Sequence, residues 1–221
     1  MEVQVFYQDE RLAVVCKPCG VLSEENDNRP NMPALLREQL CCETVYPVHR
    51  LDRTTQGVMV YAKTEEAARR LSRLIQDGGM EKTYLAVTEG IPPQSAGELC
   101  DLLYFDRKKN KSYVVKRERR GVKRALLRYE TIGTAERDRK PLALLRIRLL
   151  TGRTHQIRVQ FASRKMPLVG DRRYGSSVMC GDIALCSHQL RFIHPFTGEE
   201  MNFIHQPTDG AFALFDQNEY R

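Results

Sequence analysis

The chain opens with a two-residue period, apolar side chains alternating with polar ones, which predicts strands over residues 4–7 and 12–16. Lys17-Pro18 and Gly20 stop the second of these. Residues 24–33 are polar and turn-rich, and residues 33–40 then predict a short helix with Pro33 in its first turn. Gly57-Val58-Met59-Val60-Tyr61-Ala62 reads as a buried strand. After it the period changes to that of a helix: Thr64 is placed to cap it, Glu65 and Glu66 fill its first turn, and Ala67, Ala68, Leu71, Leu74 and Ile75 form its apolar stripe up to Gly78-Gly79. Further strands are predicted over 82–88, 112–115, 125–131 and 142–150. A last helix is predicted over 154–163, with Thr154 as its cap and Arg158 one turn further on the same face. Strands outnumber helices and many connections are short, so the expected class is α+β, a mainly antiparallel mixed sheet with flanking helices and loops. No composition shift marks a boundary, and residues 1–221 are expected to form a single domain.

Composition narrows the function. An apolar fraction of 42% in 221 residues suffices for a core. The chain has no apolar run long enough to span a bilayer, and Met1 to Glu10 lack a basic start followed by an apolar stretch; a cytoplasmic protein without membrane contact is expected. Seven cysteines, an odd number, exclude a fully paired disulfide framework. Cys16 and Cys19 form a C-x-x-C, but no second pair completes a zinc site and Gly20-Val21-Leu22 follows where a redox pair would open a helix, so neither metal nor redox chemistry is expected.

Charge is concentrated. Between Arg107 and Arg124 lie ten basic residues, Lys108, Lys109, Arg119 and Arg120 among them, against the single acid Glu118. The segment therefore carries a local net charge of +9, more than the +7 of the whole chain. With Tyr113 interleaved, it is read as a phosphate-contacting surface rather than a merely solvated hairpin.

Two polar clusters carry candidate chemistry. His49-Arg50-Leu51-Asp52-Arg53-Thr54-Thr55-Gln56-Gly57 precedes a strand, the kind of loop on which catalytic groups are often displayed. Thr151-Gly152-Arg153-Thr154-His155-Gln156-Ile157-Arg158 follows one. An arginine presented there can pair with a carboxylate through two parallel bonds and keep it ionised as a nucleophile, or Arg153 and Arg158 can hold RNA phosphates or a structural carboxylate.

These strings resemble those of RluA-type pseudouridine synthases. His49-Arg50-Leu51-Asp52 with Thr55 and Gly57 is similar to the H-R-L-D-x-x-T-S-G signature, Lys17-Pro18-x-Gly20 to K-P-x-G, and Lys82-Thr83-Tyr84 to K-x-Y. Thr151 to Arg158 is similar to T-G-R-T-H-Q-I-R, Gly170-Asp171-Arg172-Arg173-Tyr174-Gly175 to G-D-x-x-Y-G, and His194-Pro195 to a late H-P. Six motifs in family order form a specific set. The resemblance implies a catalytic-domain fold with a central cleft, and an isomerase that converts uridine to pseudouridine in ribosomal or transfer RNA without metal or other cofactor. It implies Asp52 as nucleophile, Tyr84 stacked on the target base, Arg158 as the partner of Asp52, and Arg50 filling the gap left by the flipped base. Arg53, Lys108, Lys109, Arg119, Arg120, Arg153, Arg172 and Arg173 are expected to grip RNA. Gln56 replaces the usual small serine, and Leu185-Cys186-Ser187 replaces a common Leu-His-Ala. Too little chain precedes Lys17 for an S4-type RNA-binding domain, so recognition is expected from the catalytic domain itself, acting as a monomer. The rival reading within this fold is a catalytically silent RNA-binding protein or RNA chaperone.

Overall fold

Apolar residues on both faces of Leu12–Lys17 leave this stretch no solvent side, and it pairs on both edges. The computed structural model describes residues 1–178 and 180–220. It divides into two compact units, one of Met1–Lys82 with Cys186–His205 and one of Thr83–Leu185 with Gln206–Arg221.

In the first unit, β1 (Val5–Gln8) lies antiparallel to β2 (Leu12–Lys17). After α1 (Met32–Gln39) and the two-residue β3 (Tyr46–Pro47), β2 pairs on its other edge with β4 (Gln56–Ala62), from Leu12 opposite Ala62 to Lys17 opposite Gly57. Asn31 caps α1, its side chain accepting the Ala34 N–H at 2.9 Å. α2 (Glu65–Gln76) begins at Thr64, whose hydroxyl accepts the Ala67 N–H at 3.2 Å. The expected stripe is the one that packs: Ala67 and Leu71 are buried against Leu12, Val14, Val58 and Val60, with Ala68, Leu74 and Ile75 along the margin. Late in the chain, β10 (Leu185–Ile193) runs parallel to β4, Cys186 opposite Gln56 and Ser187 opposite Gly57, and pairs antiparallel with β11 (Glu200–Ile204).

β5 (Met80–Glu89) leads into the second unit. There it is joined antiparallel by β9 (Lys140–Leu149), which pairs with β8 (Val122–Arg137), then β6 (Ala96–Asp106), then β7 (Lys111–Val115). α3 (Gln156–Ala162) packs Phe161 edge-on to Tyr129, ring centroids 5.6 Å apart, and sets Val159 among Leu103 and Ala125. The class is α+β with a mixed, mostly antiparallel sheet, as the patterning implied.

One local expectation fails. Thr154 does not cap α3: the cap position falls on His155, held in the left-handed region at φ 54°, without a side-chain capping bond. The Gln156 side chain braces the turn before the helix, its Oε1 accepting from Arg153 N at 3.0 Å and Thr151 Oγ1 at 2.8 Å, while the Thr154 carbonyl accepts from Ser112 Oγ at 2.6 Å. Thr154 therefore lies outside the helix and shares no helical face with Arg158.

Candidate active site

Asp52 is held by its neighbours. Ser23 brackets Leu51, its hydroxyl donating to the Leu51 carbonyl at 2.9 Å and accepting the Leu51 N–H at 3.0 Å. On the other side the Arg53 carbonyl accepts from Gly20 N at 2.8 Å and Lys17 Nζ at 3.3 Å. The Asp52 carbonyl accepts the Thr55 N–H at 2.9 Å, closing a turn. Leu51 and Thr55 are buried, Asp52 is half-buried, and Arg50 and Arg53 are exposed. The result is a carboxylate on a backbone pinned at both adjacent residues. Arg50 meets Glu24 at 3.5 Å, an exposed pair of little energetic weight.

Lys17 is the buried part of this hold. It is fully inaccessible and donates to three carbonyls, those of Val21 at 2.7 Å, Pro18 at 2.8 Å and Arg53. Burial pushes its ammonium down to about 8, against the opposing pull of Cys19 and Asp52. In the sequence Lys17 is visible only as part of a motif; nothing there signals that it reaches Arg53. Burial likewise pushes the Cys16 thiol up to about 11, which keeps it protonated at neutral pH. None of the seven cysteines forms a disulfide, and no group of three His, Cys, Asp or Glu side chains among the described residues is arranged to hold a metal.

Residues 51–57, which carry Asp52, form a strap that Gly57 ends. Its φ of +120° and its approach to β10 both require glycine, since a Cβ there would stand 2.2 Å from the Ser187 carbonyl oxygen. The two departures from the family pattern, Gln56 and Cys186, are register partners across this same pair. His49 accepts the Val60 N–H on Nε2 at 3.1 Å, and burial together with the charge of Lys82 holds it neutral.

In the second unit, Tyr84 is buried on β5 opposite Ile147. Arg158 is buried on α3 and forms a fork with Asp171, Nε to Oδ2 at 2.7 Å and Nη2 to Oδ1 at 2.9 Å, with Asp171 wholly inaccessible. The guanidinium also lies 5.2 Å from the Tyr174 ring. Removing one partner of such a buried pair costs about 3–5 kcal/mol because a charge is left uncompensated. In the sequence Asp171 stands inside the Gly170–Gly175 motif beside two arginines, and that is the signal it offers.

The expected RNA-binding cations Lys108, Lys109, Arg119, Arg120, Arg153, Arg172 and Arg173 all belong to this unit and are exposed. Several are joined. Arg173 donates to the carbonyls of Lys109 at 3.0 Å and Asn110 at 2.7 Å, and Arg153 to that of Arg124 at 3.1 Å, so these two arginines fasten to the two ends of the basic segment. Arg119 lies 4.9 Å from the Tyr104 ring. Among the described residues, none of the ten basic side chains from Arg107 to Arg124 makes an ion pair with a carboxylate.

A family model described as RNA pseudouridylate synthase matches residues 11–163, a span that includes the strap, β5 and α3. The chain belongs to this family. Its relatives include the dual-specificity RNA pseudouridine synthase RluA of Haemophilus influenzae, 32% identical over 91% of each chain. They also include tRNA pseudouridine synthase C of Vibrio parahaemolyticus, 30% identical over 100% of this chain and 96% of its own. An uncharacterized RNA pseudouridine synthase of Aquifex aeolicus is 35% identical over 93% of this chain and 70% of its own. The fold is that of human RNA pseudouridylate synthase domain containing 1, at TM-score 0.78 and 22% identity over 94% of this chain and 84% of that one. No helix among the described residues is long and apolar enough to cross a membrane.

Proposed function

We propose that this pseudouridine synthase modifies ribosomal or transfer RNA through Asp52, with Tyr84 stacked on the target base and Arg158 as the cation that orients the nucleophile. The observation that carries the reading is the strap itself, a half-buried Asp52 on a backbone pinned at Leu51 and Arg53. The reaction breaks the bond from uracil N1 to the ribose C1′ and forms one from C5 to C1′. A proton leaves C5 and one is taken up at N1. No electrons are gained or lost, so the stoichiometry needs no redox cofactor or cosubstrate; a carboxylate that forms and releases an intermediate, and a base for the C5 proton, are enough.

A stacked uridine must first leave its helix at a cost of a few kcal/mol. Arg50, exposed beside the strap, supplies a planar cation for the vacated place, and Arg53 a phosphate contact. The basic segment from Arg107 to Arg124, with Arg153, Arg172 and Arg173, supplies the salt-dependent grip. Both units act as one catalytic domain in this reading, as a cytoplasmic monomer. Carbodiimide mapping of RNA from a deletion strain, complemented with wild type or Asp52→Asn, tests it. A modified site that returns only with wild type is expected, and the same map identifies the substrate. Absence of any site that depends on Asp52 overturns the reading.

A further inference from the structure

Glu89, at the end of β5, collects more hydrogen bonds on its carboxylate than a surface acid needs. Ser176 Oγ donates to Oε1 in a short bond, Ser177 N and Val178 N reach the same oxygen at 2.8 and 2.9 Å, and Ser177 Oγ reaches Oε2 at 2.7 Å. The Glu89 N–H in turn donates to the Pro167 carbonyl at 2.9 Å. Residues 167 and 176–178 are thus tied to a single residue, and Asp171 lies between them.

The loop is also held at Val169 by Val87, through Arg173 by Lys109 and Asn110, and through Tyr174 by Ser112, but Glu89 is the residue that ties its two ends together. It contains one short helical turn, Arg172–Tyr174, and runs through two glycines in the left-handed region, Gly170 and Gly175. Ser176 carries the tie inward: its hydroxyl accepts the Gly170 N–H at 3.0 Å, and its own N–H donates to the Asp171 carbonyl at 3.0 Å. Asp171 then forks to Arg158. The geometry points to Glu89 as a positioning residue that sets the Arg158 guanidinium for the reaction, through Ser176 and Asp171. This rests on the role proposed above for Arg158.

The chemistry of the residue fits. Four donors converge on Glu89, and an ionised carboxylate is acceptor-only with room for all of them. Burial raises its pKa, but the bonds from Ser176, Val178 and Ser177 outweigh burial and hold it below the ordinary glutamate range. A glutamine has one acceptor oxygen and no charge, so it loses the bond that the Ser177 hydroxyl donates to Oε2 and the charge-assisted strength of the three bonds gathered on Oε1. Glu89→Gln therefore loosens the loop at nearly constant volume. The nearest cation in the network, Lys140, reaches Ser177 Oγ at 2.6 Å and does not replace the lost acceptor.

The test is a double-mutant cycle of Glu89→Gln and Asp171→Asn. Pseudouridine formed under single turnover is measured on total RNA from the deletion strain, RNA affinity is measured in parallel, and the Arg158 Nε–H resonance is followed in protein carrying labelled arginine, assigned with Arg158→Lys. Each single variant is expected to lose tenfold or more in rate with affinity within threefold of wild type, and the double variant to be no slower than Asp171→Asn alone. The Arg158 resonance should move in Glu89→Gln without turnover. If Glu89→Gln fails to fold, Ser176→Ala breaks the same relay and serves in its place. An unmoved resonance, an unchanged rate or multiplying losses in the double variant overturns the proposal. A full rate in Asp171→Asn and Arg158→Lys would instead remove the catalytic role of Arg158, a result the resonance distinguishes because it reports position and not turnover.

Discussion

The strap around Asp52 and the segment from Arg107 to Arg124 are both polar, yet they are built in opposite ways. In the strap the hydrogen bonds from Ser23, Gly20 and Lys17 tie down the residue on either side of Asp52, two of these donors being buried. In the basic segment ten cations stand without a carboxylate partner among the described residues, and the few side-chain bonds they donate run to the Arg173 carbonyl and the Cys100 sulfur. The first region depends on where one atom is; the second depends on how much charge is present. A site of the first kind fails abruptly when altered, and one of the second kind fails in proportion.

Three measurements test that contrast, in falling order of effect. Asp52→Asn should lower pseudouridine formation by about 10³-fold or more while RNA affinity stays within threefold, because the group removed is the one proposed as nucleophile. Lys17→Met keeps the volume but leaves the Val21 and Pro18 carbonyls without their donor, the Arg53 carbonyl keeping Gly20 N, which should cost about 2 kcal/mol or more and lower the melting temperature by roughly 4–8 °C. A melting temperature unchanged within 2 °C, to take about the smallest shift that a kcal/mol gives in a chain of this size, would place the hold on Asp52 elsewhere. Neutralising Lys108, Lys109, Arg119 and Arg120 together should flatten the slope of log affinity against log salt by about 3, from roughly 0.7–0.9 for each phosphate no longer neutralised. Each neutralised alone should take about a quarter of that. A single residue accounting for most of the slope would make the segment a specific contact after all.

Lys17 also predicts a pH effect. Its folded value of about 8 lies below the ordinary lysine value of 10.5, so folding disfavours its charge. That penalty is present in full below about pH 8 and is relieved as pH rises from there toward 10.5, where the unfolded chain still binds the proton and the folded chain does not. Wild type should therefore gain stability relative to Lys17→Met across that interval in parallel chemical denaturation. A difference that shrinks with rising pH would contradict the burial of the charge.

Local signals made much of the fold legible. Thr64, two glutamates and a complete apolar stripe define α2 within fourteen residues, and tertiary packing used that stripe unchanged. β6 escaped sequence reading because Ala96–Asp106 offers no clean alternation; most of its positions are half-buried on both faces. β8 extends to Val122 and Arg137, well past the seven residues predicted, because charged positions such as Lys123 and Arg124 pair in the sheet while remaining exposed. The failed cap at Thr154 has the same origin: a distant hydroxyl, Ser112, competes for its carbonyl, and no local window contains both residues. At the site, Asp52 and Arg158 were visible through their motifs, whereas the bonds from Lys17 to Arg53 and from Asp171 to Arg158 cross 36 and 13 residues.

The parallel pair between β4 and β10 bears on how the protein is made. Gly57 and its partner Ser187 enter the ribosomal exit tunnel far apart in time, since the stretch Thr83–Leu185 is synthesised between them, taking roughly 5–20 s at about 5–20 residues per second. Until then the strand that carries the strap has one edge waiting for a segment not yet translated. The loop that carries Asp52 thus emerges early, while the strand that follows it gains its β10 neighbour only after most of the chain has been made.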